Sequence, residues 1–378
     1  MKPFLKRDEW PLVWLYFFIK VGIIIVAGIA FWFVVNPFFL ESMYTYRAPS
    51  SFIDHFVFWD GQWYLHLAEE GYSFGDSGTY LSDHGFYPLY PFLIFVLEFF
   101  FLPFAFSGLL ISFLAGFVAV IFLYRLINED YGHAVAHKSV LYLLLFPAAF
   151  FLSAGYTEAL FLMLAVLCFV FARQQRWFLV GVCGFLISLT RIQGIFIFFP
   201  LAFMYLKQKQ FKLMKIKWNA LYLFLIPLGV FLFYLFLWAF TGDFFASYHD
   251  QAHYWGKHLE FPWTALFSGF LADPQFHSYF SSGIDVFFGV FFFILLFSIW
   301  NRLPREYFIY ALCMWAVPLI GGGNSQSLTR YLLLSFPSFI VLGQMGKRNK
   351  IVHYVIVTAF ASLLVYFTFL FVRGYWVG

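Results

Sequence analysis

Long, nearly uncharged apolar runs separated by short polar breaks set the pattern of this chain. Runs near the ~20 residues that span hydrocarbon fall at 12–35, 106–125, 140–154, 157–172, 177–190, 194–206, 219–241, 284–300, 306–321, 330–346 and 351–372. The shorter ones are expected to continue into their flanks. One more stretch, 86–104, is broken by Pro88, Pro91 and Pro103 and carries Glu98. Two long segments, 36–105 and 242–283, lie outside the main runs. The pattern predicts an all-α polytopic membrane protein, with one transmembrane domain over 1–378.

Composition closes off the alternatives. Of 378 residues, 63% are hydrophobic, 26% aromatic and only 11% charged, against about 25% charged in an ordinary soluble domain. So few charges cannot build a water-facing surface, a disordered chain or a coiled coil. Cys168, Cys183 and Cys313 all sit inside apolar runs and read as small core residues, not as a disulfide framework or metal site. The first run is too long for the apolar part of a signal peptide. It reads as a first transmembrane helix behind Lys2, Lys6 and Arg7.

Charge then sets sidedness. If 86–104 does not cross, most Lys and Arg fall on one side, including Arg125, Arg173, Arg302 and the lysines between 207 and 217. Arg47, Arg191, Lys257, Arg330 and Arg373 stay on the other, and Lys20 is left to snorkel from the first helix. Under the positive-inside rule this predicts about eleven crossings, a cytoplasmic start and a re-entrant or interfacial segment at 86–104. Acids show the opposite bias. Glu41, Asp54, Asp60, Glu69, Glu70, Asp76 and Asp83 crowd the first outer loop against Arg47 alone. Orientation does not require that excess, so the outer face is expected to be the active one.

Within that loop, Trp59-Asp60-Gly61-Gln62-Trp63-Tyr64 sets a carboxylate between two indoles. Helical spacing places Phe56, Trp59, Trp63 and Leu67 on one face, and Asp60 with Tyr64 a turn apart on another. An interfacial helix anchored by Trp explains the apolar face but not the acid, which makes Asp60 a candidate general base. His84-Gly85-Phe86-Tyr87-Pro88-Leu89-Tyr90-Pro91 follows, a rigid entry to 86–104 or a binding segment. Ionisable residues also mark the ends of later runs: Tyr156-Thr157-Glu158, Thr190-Arg191 and Thr329-Arg330-Tyr331. Charges at such depth are functional candidates, and two guanidinium groups suit a phosphate ester. Gly321–Gly323 lacks the context of a nucleotide loop. His249 and His253 have metal-ligand spacing, but the glutamate of a zincin helix is replaced by Asp250. A solvated aromatic loop fits that segment better, and the basic run 207–217 fits a membrane surface. Neither metal nor cofactor is expected, and nothing points to nucleic acid.

Together, 59–72, Phe86-Tyr87-Pro88-Leu89-Tyr90-Pro91, Phe146-Pro147 with Ser153 to Phe161, Thr190 to Gly194, and Leu328 to Tyr331 with Phe336-Pro337 resemble the PIG-V family of mannosyltransferases, polytopic enzymes of the GT-C class. The resemblance runs from about 52 to 340. One departure is Phe58, where an Arg is common in the family. What it implies is transfer of a sugar, mannose in the family, from a polyprenyl-phosphate donor to a glycan or glycolipid acceptor at the outer face of the bilayer. Asp60 would be the base and inversion the outcome, by analogy with inverting glycosidases. Trp59, Tyr64, His84, Tyr87, Tyr90 and Tyr156 would serve the sugar, Glu158 would orient it or an arginine, and Arg191 and Arg330 would hold the lipid phosphate. Two other classes share parts of this pattern. A flippase of lipid-linked sugars would need polar residues through the membrane and an internal repeat. An outer-face glycan polymerase or ligase would share the loops.

Overall fold

The computed structural model of the protein describes residues 5–6, 9–33, 35, 47–73, 83–268, 279–322 and 325–377, with backbone alone for 279–282. Parts of both long segments, along with Gly323, lie outside the described residues. All regular structure among those residues is helical, as the apolar pattern predicts. Five helices are long and apolar enough to cross a membrane: Trp10–Phe31, Phe104–Tyr131, Trp218–Thr241, Gly283–Arg302 and Lys350–Val372.

Prolines divide several of the remaining runs. The run 140–154 is helical only to Leu145. Phe146 turns extended ahead of Pro147, and Pro147–Leu152 continues as a 3-10 helix, because the residue before proline is pushed out of the helical region. The run 330–346 becomes two pieces, Leu328–Leu332 and Phe336–Arg348, the second with Pro337 in its first turn. Leu89–Glu98 has 10 residues and so rises about 15 Å, half the ~30 Å of hydrocarbon.

Close backbone approach holds the bundle together. A Cβ at Gly343 would fall 2.2 Å from Ser139 Oγ, and one at Gly346 would fall 1.9 Å from Tyr142 Oη. Only glycine therefore lets Phe336–Arg348 lie against His133–Leu145, the small-residue packing that membrane helices favour. Phe104–Tyr131 packs against both His133–Leu145 and Glu158–Arg173.

Lys20 departs from its expected snorkelling position. It is 4% exposed, and its ammonium donates to Leu152 O at 3.0 Å and Ser153 Oγ at 2.6 Å. The reason is local. The 3-10 stretch that Pro147 begins ends in a turn whose carbonyls need donors, and Lys20 reaches them from the first helix. At the far end of Phe104–Tyr131, Arg125 pairs with Glu9 at 2.6 Å, Arg173 with Asp130, and Lys207 with Glu306 at 3.1 Å. The other end carries the acids and arginines of the motifs.

Candidate active site

Asp60 opens the helix Asp60–Glu69, directly after a strained residue: Trp59 has φ +56 and ψ −122. A bulky side chain rarely adopts that backbone region, and such strain persists only where neighbours over-determine it. The neighbours are visible. Gly155 N donates to Phe56 O at 2.9 Å, and the Tyr156 hydroxyl donates to Phe58 O at 2.7 Å. The path 56–58 is thus stitched to 155–156, immediately before Glu158 begins its own helix. Gly155 is required here, since a Cβ would lie 2.5 Å from Val57 Cγ1.

Arg330 arrives from the short helix Leu328–Leu332, which starts at Ser327 in the left-handed region. Asp285 fixes that start by accepting from Thr329 N at 2.7 Å. The Arg330 guanidinium lies 4.6 Å from the Tyr156 ring centre, 5.0 Å from Phe151 and 5.9 Å from Trp376. Arg191, in extended backbone between Trp177–Ser188 and the 3-10 helix Ile192–Ile197, lies 5.4 Å from the Tyr331 ring.

These groups form one network. Arg330 Nη1 donates to Asp60 Oδ2 at 2.7 Å, and its Nε donates to Glu158 Oε1. Arg191 Nη2 donates to the same Glu158 oxygen, while its Nε reaches Thr157 Oγ1 at 2.5 Å. The side chains of Glu158, Arg330 and Arg191 are 0%, 2% and 7% exposed, whereas Asp60 is 28% exposed. Three charges are therefore sealed and the fourth faces outward. Two acids against two arginines balance formally, as buried charges must. Glu158 Oε2 and Arg191 Nη1 are buried with no partner among the described residues.

Asp60 opens onto a cavity of about 660 Å³, within the size range of small-molecule sites. Its wall includes Trp59, Tyr64, Tyr87, Arg191 and Arg330. The other expected site residues stand behind that wall. Tyr90 is fully buried and bonds to Gly108 O at 2.8 Å and Ser112 Oγ at 2.9 Å. Tyr156 and Glu158 are also fully buried, supporting Arg330 from below. His84 joins the two long segments: its Nδ1 lies 2.7 Å from Asp250 and its Nε2 3.1 Å from Ser73 O. Burial lowers the His84 pKa, but the hydrogen bond to Asp250 and the charges of Asp250 and Asp83 outweigh it, and the net direction is up. His66, on the other side of Asp83, is likewise raised, chiefly by its hydrogen bond to Asp83.

Several wall residues were not singled out from sequence. Tyr331 follows Arg330 directly and shared its motif. Gln251 and Trp255 lie on the helix Ala246–Trp255, and Gln251 Nε2 donates to Gly85 O at 3.1 Å. Lys257 drew notice only as a cation on the outer side. Trp376 carried no signal at all, yet it packs 5.6 Å from Trp59 with the rings at 71°. His249 pairs with Asp243 at 2.6 Å. Among the described residues, no group of three or more His, Cys, Asp and Glu is placed to hold a metal.

Comparison with family models gives no match to the chain, and comparison with curated proteins gives none either.

Proposed function

We propose that the chain is an integral-membrane glycosyltransferase of the GT-C type. It moves a sugar, mannose in the family it resembles, from a polyprenyl-phosphate donor to a glycan or glycolipid acceptor at the outer face. About eleven crossings and a re-entrant 86–104 complete this reading, which puts the cavity on the outer side. The observation that carries it is the partly open Asp60 carboxylate, fixed by buried Arg330 at the wall of a cavity of about 660 Å³.

The chemistry needs few parts. The acceptor hydroxyl oxygen bonds to the anomeric carbon as the bond from that carbon to the phosphate oxygen breaks. The bonding pair leaves with the phosphate, whose growing charge calls for cations. The acceptor proton passes to Asp60. One displacement inverts the anomeric centre. Arg330 holds the carboxylate in place, so that orientation is set before substrate arrives.

Purified protein incubated with a panel of labelled polyprenyl-phosphate sugars and membrane lipids tests the proposal. One added sugar per acceptor is expected from wild type, with D60N lowering turnover about 10²- to 10⁴-fold while inserting and folding normally. Near-normal turnover by D60N removes the base assignment. A ladder of products would mark a polymerase, and relocation of lipid without chemistry a flippase.

A further inference from the structure

The cations of the cavity are not equivalent. Arg330 is committed to Asp60 and Glu158, and Arg191 to Glu158 and Thr157. Their charges are already cancelled by the two acids. Lys257 lines the same cavity, and its ammonium has no carboxylate partner among the described residues. Its position is built by the fold. The helix Ala246–Trp255 ends at Gly256 in the left-handed region, and Lys257 N turns back to donate to Gln251 O at 3.0 Å. Lys257, Arg191, Arg330 and Tyr331 line one and the same cavity. Of these, the Arg191 side chain is 7% exposed and held by Glu158.

We propose that Lys257 forms the seat for the phosphate of a lipid phosphate, with Arg330 positioning Asp60 and Glu158 instead of binding the anion. The inference rests on the transferase reading and divides labour within its site. Charge is the first argument. With both arginines compensated, Lys257 leaves the chamber with one net positive charge, which attracts the negative phosphate of a lipid phosphate. Geometry is the second. Lys257 shares the cavity wall with the partly open Asp60, while the Arg330 and Arg191 side chains, 2% and 7% exposed, are held in their ion pairs. Flexibility is the third, since an ammonium on a long stem can follow the phosphate as a point charge while the forked guanidinium stays fixed.

The test is equilibrium binding to the purified full chain in detergent, using polyprenyl phosphate, the neutral polyprenol of equal length, and inorganic phosphate. Wild type is expected to prefer polyprenyl phosphate to polyprenol. K257M should erase most of that preference, about tenfold for one charge-assisted contact, with polyprenol binding unchanged. K257R should retain it, and K257Q should reproduce K257M. A K257M or K257Q protein that keeps the wild-type preference overturns the proposal. Wild type without any preference for phosphate over alcohol instead overturns the lipid-phosphate donor of the transferase reading. Inorganic phosphate binding as tightly as the lipid, and lost in K257M, would retain the Lys257 seat but remove the lipid from it.

Discussion

Arg330 Nη1 lies 2.7 Å from Asp60 Oδ2, joining two residues 270 positions apart. The pair links the first long segment to the end of the bundle that carries Leu328–Leu332. Asp60 is the partly exposed member that can meet a substrate, while Arg330 is the sealed one that keeps it in register. R330M should therefore lose activity and stability together. It leaves one buried acid short of its partner, a change that costs about 3–5 kcal/mol when an ion pair is fully buried. Thermal unfolding in detergent measures this, with D60N as comparison. Equal melting of R330M and wild type would show that the network is not structural.

Reporter fusions address sidedness independently of chemistry. Fusions after residues 130 and 212 should both report the cytoplasm, because Leu89–Glu98, at 10 residues, is too short to cross as a straight helix. An external signal at either position would place 86–104 across the membrane. It would also put the two ends of Phe104–Tyr131 on sides opposite to those proposed.

Much of the candidate site was legible because the chain is so poor in charge. In a sequence with 11% charged residues, each of Asp60, Glu158, Arg191 and Arg330 needed a reason, and the structure joins all four. The aromatic and distant members were less legible. Trp376 is one indole in a chain that is 26% aromatic, so its type carries no information. Only the turn at Gly374, where φ is +81, sets it beside Trp59. Helix limits suffered from the same uniformity. An all-apolar run has no polar face to mark its phase, so the runs 140–154 and 330–346 were carried through the breaks that precede Pro147 and Pro337. Lys20 was misplaced because snorkelling is the default for a long cation in a membrane helix, and the carbonyl turn it serves lies 132 positions away.

Trp376 makes a corner with Trp59 and stands 5.9 Å from the Arg330 guanidinium. An indole wall beside a carboxylate suits a sugar, which can lay its C–H face on the ring while its hydroxyls turn to polar groups. In steady-state assays W376A should raise the donor KM about three- to tenfold, the scale of one aromatic contact, with a smaller change in kcat. W376F should restore most of the loss. A normal KM in W376A would make the indole a structural cover only.

The docking of the two long segments should depend on pH through His84. Its pKa stands above the ordinary 6.5, because the hydrogen bond to Asp250 and the charges of Asp250 and Asp83 outweigh burial. The groups around it are Asp250 on Ala246–Trp255, Asp83 beside it, His66 sharing Asp83, and the rings of Tyr72 and Phe240. A raised histidine pKa favours the docked form while the ring is charged. The contribution is thus complete below about pH 6.5 and is lost as pH rises through the higher docked-state value. Hydrogen exchange over 83–88 and 246–255, corrected for intrinsic rate, should show protection falling as pH is raised. D250N should flatten that dependence, since it removes the closest anion. His66 reinforces the same sign, because its own raised pKa comes chiefly from Asp83. Loss of both histidine charges leaves Asp83, 1% exposed, as a buried acid with no cation beside it among the described residues, and the segment 83–88 should then lose protection. Exchange that does not change with pH in wild type would break the link between His84 charge and loop docking.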